Sequence, residues 1–161
     1  MAGLFKERKS NMKFEKFFKS IGVHGYVYVR ANGDKWLIGS GVGMIVPAGF
    51  KPFLGGTTVP GKTGEVVEAI VRADCDEILK LTKAELPADG KASDIVRVFT
   101  SPYSKIKIHN CDFGLIEKSD VNLSYLEIED EDDDLNTLKY MVVFDGSQES
   151  VIGFIRGIDE Q

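Results

Sequence analysis

Apolar positions recur along this chain with two distinct periods. In 12–21, MKFEKFFKSI, Phe14, Phe17, Phe18 and Ile21 fall at i, i+3, i+4 and i+7, which is one stripe of an α-helix. Lys13, Lys16 and Lys19 lie off that stripe, and Gly22 marks its end. Residues 63–73, TGEVVEAIVRA, predict a second helix with Val66, Val67, Ile70 and Val71 on one side.

Elsewhere the period is two. Residues 25–31 alternate as a strand, Asn32-Gly33 signals a hairpin, and 35–38 with 42–46 continue the meander. Residues 95–99, 105–109, 113–116 and 123–128 also read as strands. The strongest hairpin signal is 138–144, the Asp145-Gly146 turn and 151–158. Residues 77–86 fit a strand or a helix equally well, and the proline- and glycine-rich 47–61 reads as a loop. The expected fold is α+β and β-rich, an antiparallel meander with two or three helices packed on one face or end. It forms a single domain over 12–161, preceded by a flexible basic arm at 1–11.

Composition narrows the function classes. With 161 residues, 43% hydrophobic and 28% charged, the chain suits one ordinary globular domain. It holds no apolar run of transmembrane length and no secretory leader pattern, so no membrane association is expected. Two cysteines, Cys75 and Cys111, do not make a disulfide framework, which favours a reducing cytoplasm, or a virion if the gene is a phage's. The net charge is −5, unevenly spread. Residues 1–109 hold 17 Lys or Arg against 11 Asp or Glu (+6), and 110–161 hold 3 against 14 (−11). Such a basic front and acidic back favour head-to-tail self-association or a protein partner, while overall acidity opposes direct binding of nucleic acid.

One stretch matches a catalytic motif. Residues 56–63, GTTVPGKT, fit the phosphate-binding pattern G-x-x-x-x-G-K-[ST]. In a nucleotide-binding enzyme Lys62 would contact the β- and γ-phosphates, Thr63 would hold Mg²⁺ and Asp145, ending an apolar strand, would support the metal. Three features oppose this. Pro60 has no N–H to donate, Val59 stiffens a turn that needs glycine-like freedom, and the flanking hairpins are not a parallel βαβ frame. The expected arrangement is a loop that leads into the helix at Thr63.

The acidic run 127–134, EIEDEDDD, places Glu127, Glu129, Asp130, Glu131, Asp132, Asp133 and Asp134 together. It fails the EF-hand template, with Leu135 where glycine is needed and Met141 where the last glutamate is needed. A solvated strand connection is the plain reading; mimicry of a phosphate backbone, inhibiting a DNA-binding protein, is the functional alternative. The cluster His109-Asn110-Cys111-Asp112 has neither zinc spacing nor an orienting partner for a nucleophile. A turn with a buried Cys111 is expected there. No metal, cofactor or catalytic residue is assigned.

Taken together, these signals predict a non-catalytic interaction or assembly module, an accessory protein of the kind phages and mobile elements carry. Its contact elements would be the basic helix (Lys13, Phe14, Lys16, Phe17, Phe18, Lys19) and the acidic run 127–134.

Overall fold

The computed structural model describes residues 12–21, 25–39, 41–47, 61–73, 77–86, 95–116, 122–129, 137–145 and 150–158. Its elements in chain order are α1 (Phe14–Ile21), β1 (Tyr26–Val29), β2 (Lys35–Gly39), β3 (Val42–Ile45), α2 (Gly61–Arg72), β4 (Lys80–Glu85), β5 (Val96–Thr100), β6 (Lys105–His109), α3 (Asn110–Phe113), β7 (Asn122–Glu129), β8 (Thr137–Phe144) and β9 (Val151–Arg156). The strands form two sheets, one ordered β1-β2-β3-β9-β8-β7 and one ordered β4-β5-β6. Every ladder is antiparallel. The α+β, β-rich expectation therefore holds.

Period two decides the layering, because successive side chains of a strand point to opposite faces. In β2, Leu37 enters one core while Trp36 and Ile38 enter the other. The first core lies between the two sheets and takes Met44, Met141 and Ile155 from the large sheet and Phe99, Ile106 and Ile108 from the small one. Helix α1 closes it with Phe14 and Phe17. The second core lies under α2, where Val67 and Ile70 meet Trp36, Tyr140, Val142 and Phe154. The helices are thus divided between the two faces of the large sheet.

Close approach of chains is set by small residues. Gly43 pairs with Phe154 across β3 and β9, and the Phe154 ring lies over the position where a Cβ on Gly43 would stand. From there the ring stacks on Trp36 (centroids 6.0 Å apart) and meets Tyr140 edge-on at 5.7 Å. Such aromatic pairs prefer offset or edge-to-face geometry.

The two sheets are tied at their margins. Residues 77–79 first follow the edge of β7, with Leu79 N donating to Leu123 O at 2.8 Å and Ile78 bridged to Ser124. The chain then continues into β4 of the small sheet. On the other side Gly157 N donates to Lys139 O (2.7 Å) and Ile158 N to Lys107 O (2.8 Å), carrying the end of β9 across to β6.

Two expectations need correction. Residues 113–116 are not a strand: Gly114 N bonds Asn110 O, Leu115 N bonds Asp112 O and Ile116 N bonds Phe113 O. Asn and Asp favour such tight helical turns, and the apolar pattern that resembled a strand is Leu115 and Ile116 turning into the core. Ile116 bridges Met12, so Met12 precedes α1 and does not begin it. Second, Cys111 is exposed, because the turn directs Phe113, and not the thiol, toward the core. The ambiguous 77–86 contains strand β4, with a bulge between Leu81 and Lys83. The basic arm 1–11, the loop 48–60, Gly146 and Asp130–Asp134 lie outside the described residues.

Candidate interaction surface

The residues singled out from sequence are placed in different ways. In α1, Phe14 and Phe17 are buried and Phe18 packs partly buried against the core. These rings hold the helix to its own domain, so Phe14 and Phe17 are withdrawn as docking residues. Lys13, Lys16 and Lys19 are exposed, with Lys16 Nζ reaching Gly114 O at 3.4 Å. Of the acidic run, Glu127 and Glu129 stand exposed on β7, opposite Lys139 and Thr137 of β8.

Lys62 and Thr63 fall in the first turn of α2. Just after them Gly64 rests on Tyr28 of β1, where a Cβ would come within 2.7 Å of the ring. Asp145 follows β8, and β2, β3 and β9 stand between β8 and β1. At about 4.8 Å per strand, roughly 19 Å separates that row of the sheet from Tyr28. The fold does not bring Asp145 beside the start of α2, and no parallel pairing occurs among the described strands.

At the foot of β6, Cys111 Sγ donates to Asp112 Oδ1 at 3.8 Å. Partial desolvation, with the Asp112 carboxylate next to it, raises the thiol above its ordinary value, and a protonated thiol is a weak nucleophile. Burial likewise raises the Asp112 carboxyl, against the lowering influence of His109. Among the described residues no group of three or more His, Cys, Asp or Glu is placed to hold a metal ion.

The surface that sequence reasoning missed is the small sheet. The register puts Lys80, Thr100 and Lys105 in one row, Lys83, Val98 and Lys107 in the next, and Glu85, Val96 and His109 in a third. All three rows lie on the face opposite Phe99, Ile106 and Ile108, which enter the core, and Val98 at the centre of the middle row is itself buried, with lysines at the margins of the face. Among the described residues, four lysines thus frame one face that also carries Glu85. Glu85 takes Lys83 Nζ at 2.8 Å and Lys107 Nζ at 3.3 Å, and these contacts hold its carboxyl below the ordinary range. Lys80 and Lys105 have no ion-pair partner among the described residues. The pattern KIKIH showed half of this face; the bulge at Leu81/Lys83 hid the rest by shifting the alternation of β4.

β4 is the end strand of its sheet and is exposed over most of its length. Leu81 (44% exposed), Ile78 (52%) and Leu86 (57%) lie along it, and Tyr103 (90%) crowns the neighbouring β5–β6 turn. That turn is clamped from beneath: Ser101 Oγ donates to Glu77 Oε1 at 2.9 Å and Ser104 Oγ to Glu77 Oε2 at 2.9 Å. Next to it the Tyr125 hydroxyl donates to Glu127, and burial together with that carboxylate pushes the phenol well above its ordinary value.

No helix among the described residues is long and apolar enough to cross a membrane. No known protein-family model, curated protein or solved structure matches this chain.

Proposed function

We propose that this protein is a non-catalytic interaction or assembly module, whose contact region centres on the small sheet. The observation that carries the reading is the end strand β4, exposed along its length with Leu81 and the flanking Ile78 and Leu86 open to solvent. An uncovered edge is a template for pairing with another chain, and an apolar rim on it marks a contact site. Lys80 and Lys83 with the bulge between them limit indiscriminate pairing, so the edge favours a partner of opposite, acidic charge.

The test is affinity capture with the tagged full chain from its source cells, alongside Leu81→Lys. Wild type is expected to hold a partner at fixed stoichiometry, itself or another protein, that the variant loses. If both recover the same background proteins and neither self-associates, the reading fails.

A second reading draws on Glu127 and Glu129, exposed two residues apart on β7 and continued in sequence by Asp130–Asp134. A row of carboxylates of this kind suits the nucleic-acid groove of a DNA-binding protein. In that case a DNA-binding protein recovered by capture is released by competing duplex DNA, and the release is mirrored by Glu127→Gln/Glu129→Gln.

A further inference from the structure

Charge is separated across the core of this molecule. The lysines of the small sheet point outward from one side. Glu127 and Glu129 lie on β7, which belongs to the large sheet on the other side of the core. Among the described residues no ion pair joins Glu127 or Glu129 to Lys80 or Lys105 of the same chain.

We infer that the lysine face formed by Lys80, Lys83, Lys105 and Lys107 is the docking site for the acidic end of β7, Glu127 and Glu129, of a second copy of this chain. The inference rests on the proposed role in protein contacts and assigns its partner. Complementarity carries it. Among the described residues the face holds four lysines and Glu85, and two of the lysines, Lys80 and Lys105, flank Thr100 without an ion partner among those residues. The opposing element offers Glu127 and Glu129 on an extended strand, with five further carboxylates in the sequence directly after them.

An extended acidic segment laid along β4 would meet lysines on the outward face and could add backbone pairing at the free edge. Because the donor and acceptor patches differ, the contact is heterologous: each copy uses its face for one neighbour and its hairpin for the next. Such contacts build rings or open chains, not isolated two-fold dimers. Exposed charges at this distance are screened within about 8 Å at physiological ionic strength, so the association weakens as salt rises.

The arrangement allows a complementation test in sedimentation velocity. One variant carries Lys80→Glu and Lys105→Glu; the other carries Glu127→Lys and Glu129→Lys. Both pairs are exposed, and tryptophan emission checks that each variant folds. Wild type is expected to exceed monomer mass at low salt and return to monomer in concentrated salt. Each variant alone is expected to bind itself at least about tenfold more weakly, since like charges now oppose one another. Mixed at equal concentration, the face of the second variant and the hairpin of the first remain intact, so a 1:1 complex is expected.

A wild type that stays monomeric at low salt overturns the inference. So does a mixture that does not pair, or a variant that associates like wild type. Binding of a labelled single-stranded oligonucleotide by a monomeric wild type also overturns it, by giving the lysine face to a different partner. A monomeric wild type that still captures another protein through Leu81 overturns this inference and leaves the proposed function standing.

Discussion

Arg30 and Glu68, 38 residues apart, meet as a two-point ion pair: Arg30 Nε lies 3.0 Å from Oε2 and Nη2 lies 3.4 Å from Oε1. The Tyr28 hydroxyl donates to the same Oε2 at 3.0 Å, and Arg72 Nη2 stands 3.5 Å from Oε1. Both partners of the pair are mostly shielded, with side chains 18% and 24% exposed. The cluster fastens α2 to β1, which has no strand beyond it in the sheet among the described residues.

Removing the charge from that carboxylate tests its contribution. Glu68→Gln is expected to lower stability by about 2 kcal/mol, the scale of hydrogen bonds to a charged group. A double-mutant cycle with Arg30→Met in urea unfolding measures the coupling directly. Additive losses would show that the two side chains do not act together.

The same cluster predicts the shape of the stability–pH curve. Hydrogen bonding from Arg30, with help from Tyr28, holds the Glu68 carboxyl below its ordinary 4.5. Its contribution is therefore complete above that value and is lost as pH falls through the lower, folded value. Burial and the Glu68 contact raise the Tyr28 hydroxyl above 10.0, and burial with Glu127 raises Tyr125 in the same direction. Their contributions are complete below 10.0 and are lost as pH rises through the folded values. A plateau between these limits is expected in urea midpoints. Glu68→Gln should flatten the acid arm, and Tyr28→Phe with Tyr125→Phe the alkaline arm.

Gly43 leaves room for the Phe154 ring. Gly43→Ala is expected to cost about 1–3 kcal/mol, since the ring must leave its stack with Trp36 or β3 must shift. Phe154→Leu in the same background should recover part of that loss, because the smaller side chain no longer covers the added methyl. An equal loss in both backgrounds would sever the link between the two residues.

Trp36, the sole tryptophan, is buried, and its indole N–H meets no acceptor among the described residues. Its emission should be blue-shifted when folded and move to the red in a single transition on unfolding. An unpaired buried donor costs about 1–3 kcal/mol. Trp36→Phe removes that penalty while shrinking the ring, so the net loss is expected to be smaller than the roughly 3–5 kcal/mol of an aromatic truncation to alanine. Phe17→Ala in α1, equally buried, provides the reference value.

Much of the fold was legible one element at a time. The i, i+3, i+4, i+7 phenylalanines specified α1, and alternation specified β6 and β8 almost to the residue. It failed at 113–116, where Phe113, Leu115 and Ile116 are apolar for core contact while the backbone turns helically. Periodicity records which residues are buried, and three anchoring side chains do not separate a strand from a tight turn. The surface was less legible. KIKIH announced Lys105 and Lys107, but Lys80 and Lys83 joined them only through the bulge and the pairing of β4 with β5.

Sequence by itself determined most of the secondary elements, though not 77–86 or 113–116, together with their antiparallel class and the division of charge along the chain, because each depends on neighbours within a few residues. Only the tertiary structure decided what those elements share. It set Arg30 against Glu68, enclosed Phe14 and Phe17, and gathered four lysines from two strands onto one face. Those outcomes depend on strand register and sheet order, which arise when distant segments bury a common core and which no local pattern contains.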